Sequence, residues 1–195
     1  MEKVRRIFII LCLGLMGLVS ISSLRAADVS PIKEDTSIDI KFPSPASEAD
    51  AKYLGLAIDQ GPFSLNQIAA EAIIIEIFST YCPHCQREAP NVNKLYELVQ
   101  SKGFGDKLKI VGIGATNTDY EVKIFKGKYN VPFPLFSDSD LSMTHKLPLE
   151  ALVTPYFFGL RLADKNKVKV IYSHRGTFEN PEAFLEIILK EAGMN

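Results

Sequence analysis

Two cysteines two residues apart, Cys82 and Cys85 in "EIFSTYCPHC", follow closely on a carboxylate, Glu76, set in an otherwise apolar run. Such a pair of thiols can hold a metal, carry haem, close a structural disulfide or cycle between dithiol and disulfide. Tetrahedral zinc sites call for a second ligand pair, and His84, His145 and His174 show no paired spacing. Haem attachment calls for histidine directly after the second cysteine, where Gln86 stands. A structural disulfide across so short a loop removes little entropy from the unfolded chain. The redox reading alone uses the neighbouring residues, and it needs neither metal nor cofactor, because the sulfurs themselves carry the electrons.

The elements around the pair explain why. "AIIIEIF", 72–78, is a short, β-branched, nearly continuous apolar run, the pattern of a strand buried on both faces of a sheet. After the cysteines, Val92, Leu95, Tyr96 and Val99 recur at helical spacing until Lys102 and Gly103 close the segment. Cys82 therefore falls at a strand-to-helix junction, where unpaired N–H groups and the helix dipole favour a thiolate. It is the expected attacking sulfur. Cys85, one turn further in, is expected to be shielded and to resolve a mixed disulfide.

"LKIVGIGAT", 108–116, reads as the next buried strand, so strand, helix and strand form a β-α-β unit with parallel strands. Val122, Phe125 and Tyr129 suggest a helix, and "FPLFSD" a short edge strand. "TPYFFGLRL" and "KVKVIYSH", separated by "ADKNK", predict an antiparallel hairpin. A last helix starts at Asn180 and Pro181, buries Phe184, Leu185, Ile188 and Leu189, and ends at Gly193.

The chain's 195 residues leave room for one domain and an extension. Lys3, Arg5 and Arg6 precede an apolar run from Ile7 to about Val19, with small residues toward Ala26, the pattern of an export signal. Leu24 fits a cleavage site poorly, so residues 1–26 are read as a signal peptide or a membrane anchor, with Cys12 as a residue of the apolar segment. Residues 27–60 read as an extended leader with one early strand near "SIDIKF", and residues 61–195 as the domain. Residues 1–26 hold four of the 22 basic residues and one of the 23 acidic ones, so their removal leaves 18 against 22, a net charge of −4. Nucleic acid is not an expected partner of such a chain. Export would place the remaining two cysteines where disulfides persist.

At this point the residues carry a family resemblance. "IIIEIFSTYCPHCQREAP" resembles the active-site strand and helix of the thioredoxin superfamily, with Pro90 where those proteins kink the helix. Thr154 and Pro155 in "LVTPYFF" resemble the cis-proline loop that faces the cysteines and binds substrate backbone. The resemblance also implies that Glu76 is the buried acid that moves the proton of the resolving cysteine. A carboxylate in an apolar strand should have a raised pKa. Pro83 and His84, between the cysteines, are implied to tune the thiolate.

The Cys-Pro-His-Cys motif is similar to that of the strongly oxidising DsbA proteins. About 50 residues between Lys102 and Pro155 are too few for the DsbA helical domain, and "VPFPLFSD" resembles the TlpA and ResA group and the related peroxiredoxins of the AhpC/TSA type. One departure is Asn117, where ResA-like proteins often carry a second acid; Asp119 stands nearby. The resemblance implies an α/β thioredoxin fold, with a mixed central sheet flanked by helices and a β-α insert before the cis-proline loop. It implies an exported, periplasmic or membrane-anchored thiol:disulfide oxidoreductase that acts on protein thiols and disulfides and has a membrane redox partner. Two alternatives stand beside it. One is a thiol peroxidase, for which Ser79 to Cys82 supplies part of a motif whose proline is replaced by Ile75. The other is a redox-inactive binding module of the same fold.

Overall fold

The computed structural model describes residues 38–164 and 167–194. The signal or anchor expected over 1–26 and the first part of the leader lie outside the described residues, as do two residues of the hairpin connection.

The run at 72–78 forms β3 (Ala72–Phe78), buried at every position. Before it come β1 (Lys41–Phe42), α1 (Glu48–Leu54) and β2 (Phe63–Ser64). After it come α2 (Pro83–Ser101), β4 (Leu108–Ala115), α3 (Asp119–Lys128), β5 (Leu135–Asp138), β6 (Tyr156–Asp164), β7 (Lys167–Arg175) and α4 (Pro181–Ala192). The main sheet has the order β5-β4-β3-β6-β7. β3, β4 and β5 are parallel, while β6 and β7 run against β3 and each other. β5 sits at the sheet edge, and the expected hairpin pairs as β6 with β7. The final helix is capped by the Asn180 side chain, starts at Pro181 and ends at Gly193, which adopts a positive φ.

Alternation along β3 divides the interior into two cores. Ile74 and Phe78 face a layer that includes Val92, Leu95 and Val99 of α2, Val122 of α3 and Leu185 of α4. Ile73, Ile75 and Ile77 face the other side, against Val111, Ile113, Phe158 and Leu160. With a side-chain period of two, Glu76 belongs to the face of Ile74 and Phe78, the face that α2 covers. α3 approaches this face closely: a Cβ at Gly114 would lie 2.8 Å from Val122 Cγ2 and 3.3 Å from the Phe78 ring.

The leader is more structured than an extended chain. Its described part carries β1, paired with β2, and α1, and Ile38, Ile40, Phe42 and Leu54 join the second core. α1 is held from three sides. Ser47 caps its first turn. Lys126 of α3 forms a salt bridge with Asp50 at 2.9 Å. The Ile110 N–H, just before β4 meets its β5 partner at Gly112, donates to the Tyr53 hydroxyl at 2.8 Å. That hydroxyl satisfies an N–H the sheet leaves unpaired.

Candidate active site

The C-terminal ends of β3 and β4 and the start of β6 lie at one end of the sheet, since Ile77 pairs with Tyr156 and Phe78 with Gly114. Three connecting segments therefore meet there: Ser79–Cys82, Thr116–Thr118 and the approach to Pro155.

Cys82 is the N-cap of α2, in extended conformation, with Pro83 at the first helical position, where its missing N–H removes nothing from the helix. Both thiols are free; Cys82 is half-buried and Cys85 is fully buried. The Thr154–Pro155 bond is cis, and the Cys82 thiol lies 3.3 Å from the Thr154 carbonyl, to which it donates. Partial burial pushes the Cys82 pKa up. Hydrogen bonds from the Thr154 side chain, from Cys85 and from the backbone N–H of His84 outweigh it, and the net value lies below that of an ordinary cysteine. Burial pushes Cys85 up to about 12, with the Cys82 hydrogen bond and the Glu76 charge acting in the same direction.

Glu76 is buried between Gly112 and Phe157 of the neighbouring strands. Desolvation, with repulsion from Glu88, raises its pKa to about 8. Glu88 is a second buried acid beside the cysteines, outside the motif residues named above. It is buried on α2, three residues after Cys85, and accepts the Phe178 N–H at 2.8 Å and a hydrogen bond from the Asn91 amide at 3.3 Å. Burial raises its pKa too, against the effect of those bonds. Its signal was present: Cys85, Glu88, Ala89 and Val92 form one buried stripe at helical spacing, with an acid inside it.

His84 influences Cys82 through its backbone N–H, while its ring points to Arg87, whose guanidinium donates to Nδ1 at 3.1 Å. Asn117 is fully buried, and it braces the active-site segment. Its Oδ1 accepts the Thr80 N–H at 2.9 Å and its Nδ2 donates to the Thr80 hydroxyl at 3.0 Å. Gln86 Nε2 donates to the Thr80 carbonyl at 2.8 Å. Asp119 accepts a hydrogen bond from Ser137 at the sheet edge. His174 donates from Nε2 to the Thr177 carbonyl at 2.9 Å.

The Redoxin family profile matches residues 39–187. The chain is similar to the thiol-disulfide oxidoreductase ResA of Halalkalibacterium halodurans, at 24% identity over 75% of this chain and 79% of that protein. It is similar as well to ResA of Oceanobacillus iheyensis, at 22% identity over 88% of this chain and 84% of that protein. Among solved structures, a putative thiol:disulfide interchange protein DsbE from Chlorobium tepidum superposes with a TM-score of 0.61 and 18% identity, covering 84% of this chain and all of that one. That superposition shows the thioredoxin fold. With the profile spanning most of the chain and ResA thiol-disulfide oxidoreductases among its relatives, this chain belongs to the Redoxin family, as a thioredoxin-fold thiol:disulfide oxidoreductase.

Proposed function

We infer that the thiol:disulfide exchange of this chain runs through Cys82 as the attacking thiolate and Cys85 as the resolving thiol, on disulfides and thiols of protein substrates. The observation that carries this reading is the asymmetry of the pair: one thiol reachable with a lowered pKa, its partner buried and held protonated. In the reducing direction the Cys82 thiolate attacks a substrate disulfide. The S–S bond breaks, a mixed disulfide forms, and one substrate sulfur leaves as a thiolate that takes a proton from water. Cys85 then loses its proton, with Glu76 as the acceptor, and attacks Cys82 Sγ. The second substrate sulfur leaves, the substrate has gained two electrons, and Cys82 and Cys85 are joined. The same steps reversed oxidise a substrate dithiol.

The cis-proline loop of Thr154 and Pro155 is the substrate-backbone contact in this reading, supported by its 3.3 Å approach to Cys82. Pro83 and His84 tune the thiolate, His84 through its N–H. A Glu76 pKa near 8 suits an acceptor working around neutral pH. The basic and apolar N-terminal pattern supports export, with a membrane-held redox partner for the dithiol. Among the described residues no helix is long and apolar enough to cross a membrane.

Mixing the reduced full chain with a disulfide-bonded protein such as insulin tests the reading. Release of substrate thiols is expected, and Cys82→Ser should abolish it. Consumption of hydrogen peroxide faster than protein disulfide would favour a peroxidase instead. Cell fractionation with the intact mass of the recovered protein tests export and cleavage after Ala26.

A further inference from the structure

Six large hydrophobic side chains are exposed among the described residues, and three of them, Tyr81 at 70%, Tyr120 at 73% and Ile124 at 53%, line one cavity of about 220 Å³. Scattered exposed hydrophobics are ordinary; contiguity beside a nucleophile is not. Tyr81 is the residue before Cys82. Tyr120 and Ile124 are four apart on α3 and so stand side by side on its outer face, with the buried Phe125 ring behind them.

The cavity is fixed relative to the thiol. Its Cys82 side is held by Asn117 and Gln86, which between them bind the Thr80 N–H, hydroxyl and carbonyl. The Tyr81 hydroxyl donates to Glu121 of α3, tying one wall to the other and leaving the ring of Tyr81 exposed. An aromatic wall whose polar tip is already satisfied offers its apolar body to a ligand.

The occupant follows from the chemistry of exchange. Each mixed disulfide on Cys82 places a substrate polypeptide at this spot, and an extended chain advances about 3.3–3.6 Å per residue. Residues two or three away from the exchanging cysteine are therefore within reach of Tyr81, which precedes Cys82, and of the α3 wall to which the Tyr81 hydroxyl is bonded. We propose that the cavity bounded by Tyr81, Tyr120 and Ile124 is a specificity subsite that takes an aromatic or long aliphatic side chain of the substrate, within three residues of its exchanging cysteine. The proposal rests on the exchange reading above.

Two peptide mixed disulfides test it on the full chain, one with Phe two residues from the cysteine and one with Ser there. The expected kcat/KM ratio is about tenfold in favour of Phe, as for a hydrophobic pocket of modest depth. Tyr120→Ser and Ile124→Glu, both at exposed positions, should each bring the ratio toward one, whereas Ile187→Ser on α4 should leave it in place. A ratio near one in the natural protein, or one that survives both cavity variants, would overturn the subsite while leaving the exchange reading intact. Failure to react with either peptide would overturn the exchange reading and the subsite with it. A photo-crosslinker at position 124 should capture the Phe peptide; capture of a second copy, or of the chain's own residues 1–37, would overturn the assignment of the occupant.

Discussion

Burial of Glu76 works against stability as the pH rises out of the acid range. Unfolded, the carboxyl titrates near 4.5; folded, desolvation and the Glu88 charge hold its proton until about 8. Stability linked to this group is fully present below about pH 4.5 and is lost as pH rises toward about 8, because only the unfolded state releases the proton readily in that window. Glu76→Gln removes the loss. Its denaturation midpoint should gain on the natural protein progressively over that range, while resolution of the mixed disulfide slows on the order of 10²-fold through loss of the proton acceptor. A stability difference flat with pH, or an unchanged resolution rate, would contradict the role. His84 allows a second test at this scale, because its N–H, not its ring, reaches Cys82. His84→Pro deletes that N–H and should lower the reduction potential by about 30 mV for each 1.4 kcal/mol of thiolate stabilisation lost. His84→Thr keeps it and should shift the potential far less. The natural couple is expected between about −270 mV, the value for thioredoxin, and about −120 mV, that for DsbA, as titration against glutathione will measure.

The segment between β3 and α2 is held by its neighbours as much as by its own residues. Asn117, at the end of β4, supplies both hydrogen bonds to the Thr80 N–H and hydroxyl. Asn117→Ala leaves the Thr80 N–H without that partner and should cost about 1–3 kcal/mol of unfolding free energy. It should also slow Cys82 alkylation, which a purely structural loss elsewhere would leave unmoved, and Asn117→Asp, which keeps an acceptor, should restore part of the rate. The strands and α2 were legible in the sequence because β-branched runs and helical spacing are local signals, and Asn180, Pro181 and Gly193 marked the last helix at both ends. α1 was not. Its seven residues bury only Ala51 and Leu54 as apolar groups, and its anchors, Tyr53 to Ile110 and Asp50 to Lys126, join positions 57 and 76 residues apart. Asn117 showed in the sequence only as a departure from a family pattern; its bracing role depends on a partner 37 residues away.

At the scale of the whole molecule, one central strand organises the chemistry. β3 is buried on both faces, so it places Glu76 against the α2 layer and delivers Cys82 to the sheet end where the Pro155 loop and Asn117 also arrive. That Cys82, Cys85, Glu76, Thr154 and Pro155 come together was legible in the sequence because family spacing stands in for that convergence. Glu88 showed only as an acid within the buried stripe of α2, and its partner, the Phe178 N–H, comes from a distant loop, as the Thr80 carbonyl that Gln86 binds comes from the turn before the helix. The described part of the leader also belongs to this body through Ile38, Ile40 and Phe42. The central claim, a half-buried, reachable attacking thiol and a fully buried resolving one, is tested most directly by trapping. Cys85→Ser and Cys82→Ser of the full chain are each mixed with a disulfide-bonded protein substrate and separated under non-reducing conditions. Cys85→Ser should accumulate a mixed disulfide through Cys82 that dithiothreitol releases, and Cys82→Ser should accumulate none. Equal trapping by both variants, or trapping by Cys82→Ser alone, would contradict the account.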